Sequence, residues 1–222
     1  TPELKNDHQV LVQIRGSGVN PVDTYIRAGI YAKRPSLPYI PGIDSAGVVV
    51  AVGDGVDNLA VGDRVYGGWP LTGTYAEYAL YESRWVYPLP DHLDFEAGAS
   101  IFVPYSTAYR ALFHKGNAQP GDVVLIHGAT GAVGLAATQL AVAAGLQVIG
   151  TGGSEAGRQR VHQQGAHAVL DHTQDSYPND IITITDGRGV DIVLEMLANV
   201  NLVRDLQLVA MDGRIVIIGN RG

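Results

Sequence analysis

The sequence contains no cysteine. A chain without cysteine forms no disulfide, presents no thiolate nucleophile and builds no zinc site that depends on cysteine ligands. Thiol enzymes and zinc-finger proteins are therefore excluded, and because thiols stay reduced in the cytoplasm, the absence favours a cytoplasmic protein. The seven histidines are scattered along the chain, and we expect each of them to be a surface or core residue rather than a metal ligand.

Positive charge is also scarce. The chain has 15 Lys and Arg residues against 22 Asp and Glu residues, a formal net charge of -7 at pH 7. Such a chain repels nucleic-acid phosphates and anionic lipids unless it carries a local basic patch, and the sequence has no dense run of Lys and Arg. The charge therefore argues against nucleic acid and membrane surfaces as partners.

Long apolar runs are missing as well. The most apolar window, residues 133–150, is interrupted by Gln139 and Gln147 and is typical of a helix, a turn and a strand rather than of a membrane span. With 222 residues, 46% hydrophobic and 17% charged, the composition fits one large globular domain or two smaller ones. The chain begins at Thr1 without a charged and apolar leader, and we expect it to be a fragment of a longer protein.

Short β-rich segments occupy the first half of the chain. A short helix is predicted to begin at Asn20, since Asn is a good N-cap and the proline after it is tolerated at the first helical position, and to end near Gly29. A helical pattern starts near Asp94, which predicts one domain over residues 1–95 and a second over residues 96–222. The predicted strands of the first domain lie within residues 9–14, 45–53, 62–68 and 73–81.

Strands and helices alternate in the second half of the chain. The predicted strands cover residues 123–128, 147–152, 168–171, 190–197 and 214–219, and the predicted helices between them cover residues 132–144, 155–164, 180–185 and 201–210. Strands joined by helices of this length require right-handed crossovers, which predicts a parallel, doubly wound sheet. A complete dinucleotide-binding sheet of this type has one strand more, so we expect the second domain to be incomplete.

A glycine-rich loop follows the first strand of this half. Gly128, Gly131 and Gly134 form a G-x-x-G-x-x-G pattern between a predicted strand and a predicted helix. Small residues at such a loop let backbone amides approach a pyrophosphate, and the positive end of the following helix faces it. A tight turn packed for structural reasons is the alternative, but the alternation of strands and helices favours a dinucleotide site.

The end of the second strand of this half bears on which dinucleotide is bound. An acidic residue there would hold the ribose hydroxyls of NAD, whereas small residues with a nearby Arg leave room for the 2′-phosphate of NADP. The sequence has Gly152, Gly153 and Ser154 at this position and Arg158 in the next helix. This pattern favours NADP, although Glu155 is close enough in sequence to act as the ribose acid, and a solvated Arg158 is the alternative to a phosphate ligand.

Six segments, in order along the chain, carry a family resemblance. They are GVNPVDTYIRAG, PYIPGIDSAG, GTYAEYAL, VPYSTAYRAL, HGATGAVGLAA and EMLANVNL. Together they resemble the zeta-crystallin-like quinone oxidoreductase branch of the medium-chain dehydrogenase/reductase superfamily. The resemblance implies an α/β protein with a GroES-like β-rich catalytic domain, a Rossmann domain and a homotetramer or homodimer. It also implies that the chain is truncated at both ends, because the amino-terminal strand and roughly the last third of the family's length are missing.

The resemblance implies NADPH as the cofactor and carries a set of binding residues onto this chain. Tyr25 resembles the tyrosine beside the nicotinamide. A solvent-facing His172 and a helix-capping Asn201 are the alternatives to cofactor contacts at these two positions. The implied cofactor residues are Tyr25, Thr130, Gly131, Ala132, Val133, Gly153, His172, Asn201, Ile218, Gly219, Asn220 and Arg221, to which the strand-end argument adds Arg158.

Zinc-dependent members of the superfamily have a cysteine in the first of these segments and a histidine in the second, where this chain has Asn20 and Ile43. We therefore expect an enzyme without metal that reduces a quinone with NADPH. In this scheme Asn20, Tyr25 and Tyr31 line the acceptor side of the nicotinamide and donate hydrogen bonds. Reduction of an α,β-unsaturated carbonyl is a second enzymatic hypothesis. A structural crystallin role or RNA binding would retain NADPH binding, and the net charge of -7 disfavours RNA.

Overall fold

The computed structural model describes residues 1–32 and 34–220. The chain forms two compact units, Thr1–Val103 and Pro104–Gly222. This boundary lies several residues after the one that the sequence suggests. The reason is that the short helix α2 (Phe95–Gly98) packs on the strands of the first unit, where Ala99 is buried in a small cluster with Ala46 and Leu89.

The first unit is built on one antiparallel sheet with the strand order β4-β1-β2-β3-β5. Strand β4 begins later than predicted, because Gly73 adopts a φ of +81° and Thr74 bonds to the Pro41 carbonyl instead of joining the sheet. The short β5 was not predicted from the sequence. The strands are β1 (Gln9–Ser17), β2 (Ser45–Val52), β3 (Arg64–Gly67), β4 (Tyr78–Glu82) and β5 (Val86–Pro88).

Helix α1 (Pro21–Arg27) follows β1 and begins where the sequence predicts. Its N-cap is Asn20, whose backbone N–H donates to Asp23 Oδ2 at 2.8 Å. The helix ends before Gly29, which has a φ of +70° that glycine adopts without strain. The predicted cap, proline and stop signals of this helix are therefore confirmed.

The second unit contains a parallel sheet with the strand order β10-β9-β6-β7-β8. The predicted doubly wound arrangement is confirmed, because alternate residues of β6 point into two different cores, one with helix α4 and one with helices α6 and α7. Its strands are β6 (Val123–Ile126), β7 (Gln147–Thr151), β8 (Ala168–Leu170), β9 (Val190–Glu195) and β10 (Val209–Ile217).

Five helices accompany these strands in chain order. Helix α3 continues directly into a π-helical turn over Arg110–Lys115. The sequence predicts that α6 and α7 begin at Asp180 and Asn201, but both helices begin earlier, at Tyr177 and Ala198. The helices are α3 (Phe102–Tyr109), α4 (Ala132–Ala143), α5 (Glu155–Gln163), α6 (Tyr177–Ile184) and α7 (Ala198–Leu208).

Gly134 and Gly131 of the glycine-rich loop provide a matched stability test. A Cβ at Gly134 would lie 2.5 Å from both Ala129 Cα and the Gly128 carbonyl oxygen, which are backbone atoms that cannot turn aside. At Gly131, the N-cap of α4, a Cβ would meet its nearest atom at 3.5 Å, and Ser is a favoured N-cap residue. We expect Gly134→Ser to lower the free energy of unfolding by about 2 kcal/mol and Gly131→Ser to change it by less than about 0.5 kcal/mol.

Urea unfolding of the two variants beside the parent protein measures this difference. Because both variants introduce the same side chain into the same loop, equal stabilities would contradict the close backbone packing assigned to Gly134.

Candidate functional site

The loops at the carboxyl ends of β6 and β7 are tied together by hydrogen bonds. The Gly128 N–H donates to Thr151 Oγ1 at 3.2 Å, and the Ala129 N–H donates to the Thr151 carbonyl at 2.9 Å. Gly128 itself has a φ of +58°. These bonds hold the glycine-rich loop against the end of β7, the edge at which doubly wound sheets bind nucleotides.

Thr130 lies inside this loop, and its side chain has room only because the neighbouring segment carries glycines. A Cβ would lie 2.5 Å from Thr130 Cγ2 if placed on Gly152, and 2.9 Å from it if placed on Gly157. Gly153, by contrast, is exposed, and a Cβ there would lie 3.4 Å from the ring of His172. The structure therefore brings Thr130, Gly153 and His172 to one edge of the sheet, as the family resemblance implies.

The start of helix α4 is open toward solvent at the same edge. Gly131 and Ala132 are exposed and Val133 is half-buried. The amides of a first helical turn have no acceptor within the helix, and together with the helix dipole they favour an anion. The close packing of Gly134 against Ala129 lets the helix begin this near the loop.

Arg158 is held at the end of β7 and is not a freely solvated helix residue. Its Nη1 donates to the Gly152 carbonyl at 3.1 Å and lies 3.0 Å from Asp171 Oδ2. Hydrogen bonds from Thr173, and to a lesser extent the charge of Arg158, hold the pKa of Asp171 below its usual value. The guanidinium is thereby oriented, and it retains further N–H groups for an anion at this edge.

The segments after β9 and β10 meet through Glu195. The N–H groups of Ile218 and Gly219 donate to the Glu195 carbonyl at 2.8 and 3.2 Å, and Asn201 Nδ2 donates to Glu195 Oε1 at 3.3 Å. A Cβ at Gly219 would overlap the carbonyl oxygen of Met196, so this approach requires glycine. Asn201, Ile218 and Gly219 are thus brought together as the resemblance implies. Asn220 follows on the surface, and Arg221 lies outside the described residues.

His127, Glu195 and Asp205 form a buried cluster that the sequence did not reveal. The His127 Nε2 lies 2.8 Å from Asp205 Oδ1 and 3.5 Å from Glu195 Oε2. Within residues 1–32 and 34–220, this is the one trio of His, Asp and Glu side chains whose polar atoms lie this close together. A histidine directly before the glycine-rich loop was the available signal, but helix periodicity alone does not show that Asp205 is buried.

In the first unit, the predicted acceptor-side residues lie on and after helix α1. Asn20 is 8% exposed, and its Nδ2 donates to Asp44 Oδ2 at 2.9 Å. Tyr25 is half-buried within the helix, and Tyr31, which follows the helix, is 41% exposed. Ile43 is buried and apolar, so it offers no ligand atom to a metal.

Asp44 is the polar centre beside Asn20. Its Oδ1 accepts from the Val103 N–H at 2.8 Å while Oδ2 accepts from Asn20. Burial raises the pKa of Asp44 to about 6, although both hydrogen bonds oppose this rise. Asn20 is therefore oriented by a buried carboxyl group, a contact that the sequence did not predict.

An apolar groove of about 730 Å³ runs beside α1 in the first unit. Asp23 and Ile26 of the helix face it, and the opposite walls come from the segments 35–43 and 69–73. Ile43 lines the groove. Large apolar side chains around it are exposed, with Ile40 at 44% and Leu71 at 51%, so this surface can accept an apolar molecule.

No helix in the described part of the chain is long and apolar enough to span a bilayer.

The alcohol dehydrogenase GroES-like domain family matches residues 6–91, and the zinc-binding dehydrogenase family matches residues 132–222. Among curated proteins, quinone oxidoreductase of Homo sapiens is 50% identical over 219 residues, which cover 99% of this chain and 67% of that protein. The Rattus norvegicus quinone oxidoreductase is 51% identical, with 97% and 65% covered. The chain thus spans about two thirds of the length of these relatives.

Solved structures agree with this relationship. The structure of Escherichia coli quinone oxidoreductase complexed with NADPH matches with a TM-score of 0.87 and 32% identity, over 99% of this chain and 67% of that one. The structure of CurK enoyl reductase matches with a TM-score of 0.90 and 27% identity, over 100% and 69%. The motifs, the two domains and these identities show that the chain belongs to the quinone oxidoreductase family of the medium-chain dehydrogenase/reductase superfamily.

Proposed function

We propose that this chain carries the NADPH-binding and acceptor-binding residues of a quinone reductase that works without a metal. The observation that carries the cofactor assignment is the convergence of Thr130, Gly153 and His172 at the carboxyl edge of the parallel sheet. The relatives that are about half identical to the chain are quinone oxidoreductases, and this similarity supports a quinone as the acceptor.

The second unit has the features that an NADPH site requires. The open first turn of α4, with Gly131, Ala132 and Val133, would hold the pyrophosphate, because its amides are unpaired within the helix. Arg158 would bind the 2′-phosphate, and Asn201 and Gly219 would contact the nicotinamide half. When bound, NADPH supplies the reducing equivalents, and the protein residues orient it at the sheet edge.

The first unit would provide the acceptor side. Reduction of a quinone builds negative charge on a carbonyl oxygen, and without a metal that charge is met by hydrogen-bond donors or by solvent. The Tyr25 and Tyr31 hydroxyls and the Asn20 amide are donors of this kind. One N–H of Asn20 is already bonded to Asp44, which leaves its second N–H for the acceptor.

The metal-free assignment rests on Asn20 and Ile43. Where zinc-dependent members have metal ligands, this chain has the Asn20 amide, which is bonded to a buried carboxyl group, and the apolar side chain of Ile43.

We further propose a cytoplasmic enzyme, supported by the absence of cysteine. A homotetramer or homodimer is proposed from the family resemblance alone. RNA binding is disfavoured by the net charge of -7.

Reduction of an α,β-unsaturated carbonyl is the second candidate, because the CurK enoyl reductase structure shares the fold over the whole chain with a TM-score of 0.90. We expect NADPH oxidation with a quinone to be faster than with an alkenal. We also expect the quinone rate to survive exhaustive chelation. Faster alkenal turnover would favour the second candidate. Stoichiometric zinc whose removal abolishes activity would refute the metal-free assignment.

Arg158 gives a test of cofactor choice. We expect NADPH to bind more tightly than NADH, and Arg158→Ala to weaken NADPH binding by about tenfold, because one hydrogen bond to a charged group is lost. NADH binding should change by less than about twofold, since NADH lacks the 2′-phosphate. Fluorescence titration with both nucleotides measures this. Arg160→Ala, at an exposed position on the same helix, is the matched control. Equal effects of Arg158→Ala on both nucleotides would refute its role at the 2′-phosphate, and equal or reversed affinities of the parent for NADPH and NADH would indicate Glu155 as the ribose ligand.

Tyr25 and Asn20 are expected to act differently when substituted. Tyr25→Phe should lower quinone turnover by about a hundredfold if its hydroxyl stabilises developing charge, with little change in melting temperature. Asn20→Ala should lower the free energy of unfolding by about 1 to 3 kcal/mol, because the buried Asp44 carboxyl group loses a donor.

Turnover, melting temperature and NADPH affinity are measured together for each variant. Tyr87→Phe, on strand β5 and 38% exposed, is the control for loss of a tyrosine hydroxyl. If Tyr25→Phe folds normally and reduces quinone at the parent rate, the hydroxyl is not catalytic and the site acts by holding quinone and cofactor together.

A further inference from the structure

The buried cluster in the second unit contains more acid than base. His127 follows β6, Glu195 ends β9 and Asp205 lies on α7, and their exposures are 3%, 0% and 0%. The cluster has one imidazole, which carries at most one positive charge, and two carboxyl groups. If both carboxyl groups are ionised, the cluster keeps at least one uncompensated negative charge away from water, which is strongly unfavourable.

The hydrogen bonds of the cluster show where a proton is missing. Glu195 Oε1 accepts from the Leu197 N–H and from Asn201 Nδ2, and Asp205 Oδ1 pairs with His127 Nε2. The second oxygens, Glu195 Oε2 and Asp205 Oδ2, are both buried and have no hydrogen-bond partner. A carboxylate oxygen only accepts, so the two oxygens can satisfy each other only if one of them carries a proton.

We propose that Glu195 is protonated in the folded protein and donates from Oε2 to Asp205, so that His127, Glu195 and Asp205 form a proton-sharing cluster that positions Asn201. The added proton satisfies both orphaned oxygens and leaves one carboxylate beside the His127 ring. Asp205 is the carboxylate of the pair because it lies nearer to His127, at 2.8 Å against 3.5 Å for Glu195. The step from Asn201 to cofactor binding rests on the proposed function.

The electrostatic surroundings agree with a protonated Glu195. Burial and, next, the neighbouring Asp205 carboxyl group raise the pKa of Glu195, while the Leu197 N–H and the charge of His127 oppose this rise. Two further groups lie near the cluster. The Tyr177 ring of α6 lies edge-on to His127 at 6.5 Å, and Arg204 of α7 donates to the Tyr177 hydroxyl at 2.8 Å. The charges of Asp175 and Asp205 both act on Arg204, but Arg204 gives neither orphaned oxygen a hydrogen bond.

The cluster is linked to the cofactor residues by a short path. The Glu195 carboxyl group accepts from Asn201 Nδ2 and from the Leu197 N–H at the start of α7. The backbone carbonyl of Glu195 accepts from the N–H groups of Ile218 and Gly219. Loss of the proton would leave two adjacent buried anions, and their repulsion would displace Glu195 and with it Asn201. Glu195 is thus a positioning residue.

The direction of the pH effect follows from the raised pKa of Glu195. The folded state binds this proton at pH values where the unfolded chain has released it. The contribution of Glu195 to stability is therefore fully present below the ordinary carboxyl pKa and is lost as the pH rises through its folded-state pKa. NADPH affinity should fall in the same direction, because the ionised cluster no longer holds Asn201.

The variant Glu195→Gln tests the inference, because its amide keeps an acceptor for Asn201 and places an N–H toward Asp205 as a protonated acid would. At pH 6 we expect Glu195→Gln to bind NADPH within about twofold of the parent, and the parent affinity to fall at least about fivefold more than that of the variant between pH 6 and pH 9. Taking the ratio of the two affinities cancels the titration of NADPH and of the other residues. Asp191→Asn, on the opposite end of β9, is the control and should keep the parent pH profile.

Three results would overturn the proposal: a parent-like pH profile in Glu195→Gln, a folded Glu195→Gln that no longer binds NADPH, or a stoichiometric metal ion in the parent that is lost in the variant. Infrared spectra of the parent over a range of pH should show the carbonyl band of a protonated carboxyl group besides that of Asp44, whose pKa burial raises to about 6. The absence of this additional band overturns the proposal even if the variants do not fold. A parent that shows this band but binds no NADPH at any pH would refute the proposed function and leave the shared proton standing.

Discussion

The central position of strand β6 is the constraint on which the candidate cofactor site depends. This strand is hydrogen-bonded to β7 on one side and to β9 on the other, and its residues are buried on both faces of the sheet. Parallel strands present their carboxyl ends at one edge, so the loop after β6 must emerge between the ends of its two neighbours. Gly128, Thr151 and Met196 accordingly lie close together, and the glycine-rich loop has little freedom in where it goes.

A buried carboxyl group orients a candidate asparagine in each of the two units. Asp44 accepts from Asn20 in the first unit, and Glu195 accepts from Asn201 in the second. In both cases burial is the largest influence on the acid and raises its pKa. Asparagine has flexible χ angles and an amide that bonds equally well to water, so a buried acceptor is an effective way to fix its direction. Both acids lie in segments that carry the family resemblance, PYIPGIDSAG and EMLANVNL, but only the structure shows that they determine what the asparagines can contact.

The end of β7 has no acidic residue and is approached by an arginine from the next helix. The position where an NAD-binding protein has an acid is occupied here by Gly152 and Gly153, and Gly152 is needed to accommodate Thr130. Arg158 reaches back to this strand end and is oriented by Asp171. An arginine that is already oriented loses less conformational entropy when it binds a phosphate, although its pairing with Asp171 reduces the positive charge available to that phosphate.

The sequence by itself determined the fold class, most of the order of strands and helices and the location of the glycine-rich loop. These features are local: alternation of apolar segments, the cap and proline before α1, and glycines at fixed spacing all act between near neighbours in the chain. It also favoured NADP through Gly152, Gly153 and Ser154, and it has Asn20 and Ile43 where zinc-dependent members have a cysteine and a histidine. The start of β4 was less well predicted and β5 was not predicted, because packing between distant segments decides where these strands begin and end.

Only the tertiary structure decided which side chains meet across the sheet. His127, Glu195 and Asp205 are separated by up to 78 residues along the chain, and the order β10-β9-β6-β7-β8 brings them together. Their burial, the orphaned oxygens and the missing proton follow from that juxtaposition. Sequence periodicity describes one element at a time, whereas the free energy of a buried charge depends on every group that surrounds it in space.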